Sequence, residues 1–275
     1  MEKRQGNSLP VRELFRPGNM MRANHRSGAM DFAALHSNDS YLSDQRFFTR
    51  LAQVLAGLIV FGFLQWALRG FVNPVRTPLY IHAHGVAMLG WLGTIAAQNS
   101  LAGSGNLALH RRLGWASLAL VLAIVALGTF AGRMALATHR VPPFFTDSYF
   151  LALTHVEVAV FALTVMSAIA LRRQTQWHRR LMIAATVVLM EPALGRLLPM
   201  PLLGQIAGGW IEAALQVGFL GIMARHDLKV LGRVHPATLV GMGLVVAVHA
   251  LIQVLAGMPI MASYVESIAR SSGGA

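Results

Sequence analysis

Residues 113–135 read LGWASLALVLAIVALGTFAGRMA, and no charged side chain interrupts them before Arg133. About 20 helical residues cross the roughly 30 Å hydrocarbon layer of a membrane, and this stretch is long enough to do so. Six further apolar stretches match it in length, near residues 48–69, 80–101, 148–171, 179–199, 207–224 and 236–258. The fifth and sixth in chain order are interrupted, by Glu191-Pro192 and Gly208-Gly209. The expected fold is therefore all-α, a polytopic bundle of seven transmembrane helices.

Composition agrees. The chain has 275 residues, 55% hydrophobic and 12% charged, with mean hydropathy +0.54. A soluble domain is nearer one quarter charged. The absence of cysteine excludes disulfides, thiolate metal ligands and cysteine nucleophiles together. A net charge of +12 would suit nucleic acid if it formed a surface. Here the basic residues fall in the connections between apolar stretches, so the expected partner is the lipid bilayer and not nucleic acid.

Their distribution also sets orientation. With the N-terminus inside, seventeen of the 23 Lys and Arg lie on the cytoplasmic side. Arg69, Arg76, Arg133, Arg140 and Arg270 face the other side, and Arg196 falls within the fifth span. Seven crossings then place the C-terminus outside. The reading is a bacterial cytoplasmic (inner) membrane protein, N-terminus cytoplasmic and C-terminus periplasmic. Residues 1–45 form a basic arm expected to lack fixed structure, residues 46–260 the membrane domain, and residues 261–275 a short external tail. No apolar run follows the charges of MEKRQGNSLPVRELFRPGN, so a signal peptide is not expected.

An internal repeat appears at the cytoplasmic ends. His110-Arg111-Arg112-Leu113 opens the third span and His178-Arg179-Arg180-Leu181 the fifth, while Arg233-Val234-His235-Pro236 opens the seventh. Spans two to seven then read as three tandem helical hairpins in parallel relation, behind a leading helix. A helix start offers unsatisfied amides, and histidine or arginine there can bond neighbouring carbonyls or lipid phosphate. Pro236 suits a first helical turn, where its missing N–H is not needed.

Inside the spans lie ionisable residues that lipid does not tolerate: His82, His84, His155, Glu157, Glu191, Glu212 and His249. At membrane depth each costs at least about 2–3 kcal/mol on insertion scales, so such residues mark a site or pathway. Polar pairs recur fourteen residues apart, His84 with Gln98, Glu212 with His226, and His235 with His249. That spacing is close to four helical turns, which keeps each pair on one face. Imidazole plus carboxylate suits zinc or iron, and the candidate metal ligands are His84, His155, Glu191, Glu212 and His249. No HExxH or other compact metal motif occurs. His82 and Glu157 each sit two residues from a candidate ligand and so point away from it. Arg196 is an alternative partner for Glu191. A metal centre of this kind could activate water for hydrolysis of a lipid-like substrate, although an enzymatic role stays undecided.

Haem b is the rival cofactor. Axial pairs need one histidine from each of two helices at equal depth, which His84 with His155, and His110 with His178, would supply. That alternation resembles the di-haem transmembrane cytochromes b. A proton path, a transporter or a structural subunit of a membrane complex also stays open, as does a homo-oligomer.

The stretch IHAHGVAMLGW…LALHRRLGWASLALVLA…WHRRLMIAATVVLMEPAL…GRVHPATLVGM, within residues 50–258, resembles an uncharacterised family of bacterial multi-pass membrane proteins. Its HRRLM element is similar to one in small membrane proteins of haem–copper oxidase assembly, which implies haem or assembly chemistry. The helix count and the His/carboxylate ligand set resemble those of seven-helix zinc amidohydrolases of the ceramidase and adiponectin-receptor type, an analogy from which function does not follow.

Overall fold

A computed structural model describes residues 44–272, and these are helical with short connections and without strands. The chain divides into two units, Met1–Phe47 and Phe48–Ala275. Of the first, only the opening turn of a helix falls among the described residues, so the expectation for the basic arm of residues 1–45 lies almost wholly outside them.

Nine α-helices occur among the described residues. They are α1 (Asp44–Leu68), α2 (Leu79–Gly103), α3 (Leu107–Ala137), α4 (Asp147–Ala170), α5 (Thr175–Val188), α6 (Glu191–Leu197), α7 (Met200–Leu231), α8 (Pro236–Ala256) and α9 (Pro259–Ser272). Five of them, α1, α3, α4, α7 and α8, are long and apolar enough to cross a membrane. Their outward faces carry Leu68, Leu122, Leu163, Leu202, Leu239 and many other exposed apolar side chains, as lipid contact requires. The chain is thus compatible with an integral, multi-pass membrane protein.

Two expected spans differ from the five. The second, α2, has the length but carries His82, His84, Gln98, Asn99 and Ser100. The fifth is broken. Helix α5 stops at Val188, and α6 starts at Glu191 with Pro192 at its second position. Proline has no N–H to donate and its ring crowds the preceding turn, so the helical ladder cannot run through. The sixth holds a different interruption from the one expected. Gly208 and Gly209 are helical, and the kink falls earlier, at Gly204, whose φ of 68° lies in the left-handed region.

The termini follow from local chemistry. Asn106 accepts from Leu109 N at the start of α3, and Thr146 accepts from Tyr149 N at the start of α4. His235 caps α8 by accepting from Ala237 N, with Pro236 in the first turn as expected. Gly105, at φ 77°, makes the turn between α2 and α3.

Helix α4 is the centre of packing. It contacts α3, α5, α8 and α9. One core cluster joins Tyr149, Ala152, Leu153 and Val156 of α4 to Val248 and Ile252 of α8. Another joins Leu136, Leu151 and Ile268 of α3, α4 and α9. The expected hairpin pairs α2–α3, α4–α5 and α7–α8 all pack against each other. The segment expected as a short tail forms α9, an amphipathic helix whose Met261, Tyr264, Val265 and Ile268 lie on the bundle.

Candidate functional site

The glutamates converge where α5 breaks. Glu191 is the first residue of α6 and only 3% exposed. Glu212 comes from the middle of α7, 1% exposed, and its carboxyl lies beside that of Glu191, with Oε1 reaching α6 at Gly195. Carboxylate oxygens only accept, so two carboxyls can bond each other only with a proton between them. Glu157 and Tyr149 of α4 are also buried. Glu157 Oε1 and Glu212 Oε1 have no hydrogen-bond partner.

The break itself is held by a side chain. Gln216, one turn beyond Glu212, donates through Nε2 to Val187 O at 2.9 Å and to Val188 O at 3.3 Å. These are carbonyls that the interrupted helix leaves open. Its Oε1 accepts from His249 Nε2 at 2.9 Å. With Nε2 donating, a neutral His249 keeps its lone pair on Nδ1, and that buried atom has no partner. Glycine keeps the spot open. A Cβ on Gly209 would meet Tyr149 Oη at 2.6 Å, Gln253 Nε2 at 3.7 Å and His249 Nδ1 at 3.8 Å, and one on Gly195 would meet Glu212 Oε1 at 3.0 Å. Four elements therefore aim polar atoms at one buried region: α4, the α5–α6 break, α7 and α8.

Of the five expected metal ligands, Glu191 and Glu212 come together, with His249 one side chain removed through Gln216. His84 and His155 lie elsewhere. His84 packs toward Gly128 of α3, where a Cβ would stand 3.4 Å from its ring. His155 bonds Leu151 O through Nδ1 at 2.8 Å, and its ring meets Tyr264 of α9 edge to face at 5.8 Å. The reason is helical geometry. Two residues apart on α4, His155 and Glu157 point in nearly opposite directions, so α4 stands between the glutamates and its own histidine. Among the described residues no group of three or more His, Asp or Glu is placed to hold a metal ion. His82 is exposed and bonds Pro74 O at 3.0 Å. Arg196 donates to the Pro192 carbonyl one turn back, with its guanidinium 4.2 Å from the Phe63 ring, and closes no ion pair with Glu191.

The repeat histidines form a second constellation. His110 and His178 are each the fourth residue of their helices, α3 and α5. Each ring bonds a carbonyl near the end of the preceding helix, His110 Nδ1 to Gln98 O at 3.2 Å and His178 Nδ1 to Ala168 O at 2.8 Å. Their ring centroids are 6.5 Å apart and their planes 81° apart. His235 departs from the pattern and serves as a helix cap.

Sequence reasoning missed one buried ion pair. Arg180, assigned there only a topological role, is 1% exposed and pairs with fully buried Asp227 of α7. Asp227 also accepts from Thr238 Oγ1 at 2.6 Å and from His235 N at 3.1 Å, which ties α5, α7 and α8 together. The available signal was that Asp227 is the lone acid in the connections at residues 102–112, 172–178 and 225–235, where the arginines concentrate. Arg179 is buried too, 4.2 Å from the Phe48 ring. Comparison with protein-family models, curated proteins and solved structures gives no match for this chain.

Proposed function

We propose that this is a proton-coupled membrane protein of the transporter class, in which the Glu191–Glu212 pair binds and releases the proton. The observation that carries the reading is the contact of two buried carboxyl groups at a broken helix. Like charges at such a distance in a dry interior cannot both be ionised, so the pair holds a proton. Broken helices near mid-membrane are where transporters place their coupling sites, because the interrupted backbone can rearrange there. The partnerless oxygens of Glu157 and Glu212 and the lone pair of His249 Nδ1 supply further places for the proton to go.

In this reading the chain crosses the membrane seven times. Helix α2 is a polar span, and α5 with α6 is one broken span. The Lys and Arg bias supports a bacterial cytoplasmic membrane with the N-terminus inside and the C-terminus outside. The recurrence of the His-Arg-Arg-Leu element at the same helical position in α3 and α5 supports the reading of the hairpins as tandem repeats.

Infrared spectroscopy of the protein in liposomes tests the site. The wild type is expected to show the carbonyl stretch of a buried, protonated carboxyl group. Glu191→Gln and Glu212→Gln should each shift that band, because each removes one of the two carboxyl groups in contact, and the double variant should lose the pair's contribution. A band unchanged in position and intensity in both single variants and in the double variant, or none in the wild type, would overturn the assignment.

A further inference from the structure

A groove between α2 and α3 stands apart from the proton site. We propose that it holds one acyl chain of an anionic phospholipid, whose phosphate is bound by Arg111 and Arg112 near the start of α3. The inference rests on the membrane reading of the chain and not on the glutamate pair. The groove is open on one side and has a volume of about 450 Å³. Thr94 of α2 lines it, with Leu113, Ala116, Ala119, Leu120 and Ala123 of α3. Ser117 lines it too, but its hydroxyl already donates to Gly114 O at 2.7 Å. A largely apolar wall of this kind takes hydrocarbon.

Small side chains create the groove, and their register ties it to an arginine. Ala116, Ala119 and Ala123 follow Arg112 at steps of four, three and four residues, which keeps all of them on one face of α3. On α2, Gly90 lets Leu120 lie close, since a Cβ there would stand 3.3 Å from Leu120 Cδ1. From Leu113 to Ala123 the groove follows α3 for about 15 Å, at 1.5 Å per residue. One leaflet is half of the roughly 30 Å hydrocarbon layer, so the groove is about as long as one leaflet is deep. Arg112 then falls at its interfacial end. Helical side chains lean toward the N-terminus of their helix, so Arg112 reaches away from the groove and toward the headgroups.

Charge selects the lipid. Arg111 and Arg112 are exposed, and among the described residues neither closes an ion pair. A guanidinium offers phosphate two parallel N–H donors in a fixed fork. A zwitterionic phospholipid also carries phosphate, but its cationic headgroup would be brought beside two arginines. A net-anionic headgroup meets no such opposition. His110 takes no part, because its ring is engaged with Gln98 O. Small residues on a membrane helix would also suit a second copy of this chain. A two-fold related copy would set Arg112 against Arg112, and that like-charge contact opposes it.

The test titrates the detergent-purified full chain with phosphatidylglycerol or phosphatidylcholine and counts retained lipids by native mass spectrometry. One phosphatidylglycerol per chain is expected, held about tenfold or more tightly than phosphatidylcholine. The Arg111→Gln/Arg112→Gln double variant should bring the two lipids level. Ala119→Phe fills the groove from an exposed position and should lose the retained lipid without lowering the melting temperature. Arg225→Gln and Arg233→Gln remove exposed cations that lie outside the groove and should change nothing. Glu191→Gln and Glu212→Gln should also keep the lipid, so this proposal and the proton site fail separately. Equal retention of both lipids by the wild type would overturn the proposal, as would a loss at Arg225 or Arg233 equal to that at the arginine pair. Phosphatidylglycerol that survives Ala119→Phe, or is displaced by inorganic phosphate alone, would deny the groove its acyl chain. A dimer that Ala119→Phe dissolves would give the groove to a second copy instead.

Discussion

Asp227 and Arg180 show how much one buried charge can decide. Removing either leaves the other uncompensated in a dry interior, which costs about 3–5 kcal/mol. Asp227→Asn is expected to lower the apparent melting temperature by about 10 °C, since about 1 kcal/mol moves a chain of this size by a few degrees. Thermal unfolding of the purified protein checks it, and melting within about 2 °C of the wild type would deny the pair its structural weight. Replacing both by apolar residues of similar volume should cost much less, because no orphaned charge remains. The glutamates of the proton site follow different physics. They form no ion pair among the described residues, and in the proposed reading their burial is met by a shared proton.

At the level of elements, the α5–α6 break is the feature on which the site depends. Pro192 ends the helical ladder, and Gln216 of a different helix takes over the carbonyls of Val187 and Val188. Gln216→Leu should therefore destabilise the protein by about 1–3 kcal/mol, the usual cost of leaving buried acceptors unmet. It should also free His249 Nε2 and perturb the carboxyl infrared band. An unchanged melting temperature together with an unchanged band would show that Gln216 does not hold the break. Close helix contact supports the same region. A Cβ on Gly241 of α8 would stand 2.9 Å from Ala184 Cβ of α5, so these helices meet nearly backbone to backbone. Helix α9 was not foreseen as an element, because a short amphipathic helix beyond the last span leaves little signal apart from its spacing of Met261, Tyr264, Val265 and Ile268.

For the whole molecule, orientation is the testable quantity. The chain has no cysteine, so single cysteines introduced at exposed Ser104 and at Ser271 can be labelled without background. A membrane-impermeant maleimide applied to intact cells is expected to label Ser271→Cys and spare Ser104→Cys. The reverse pattern, or labelling of both from outside, would contradict seven crossings with the N-terminus inside. What the sequence determined by itself is the fold class, the apolar helices and the break at Glu191-Pro192. These rest on local properties: hydropathy over about twenty residues, and the backbone chemistry of proline. It also picked out Glu157, Glu191, Glu212 and His249 as buried polar residues, because their cost in lipid does not depend on the partner, while it missed Arg180 and Asp227. Which of them meet was decided only by tertiary structure. Glu191 joined Glu212 and His110 joined His178, while α4 kept His155 apart from its own Glu157 and Arg180 left the surface for Asp227. Those outcomes depend on the rotation of each helix about its axis, and only the packing of every helix against its neighbours determines that rotation.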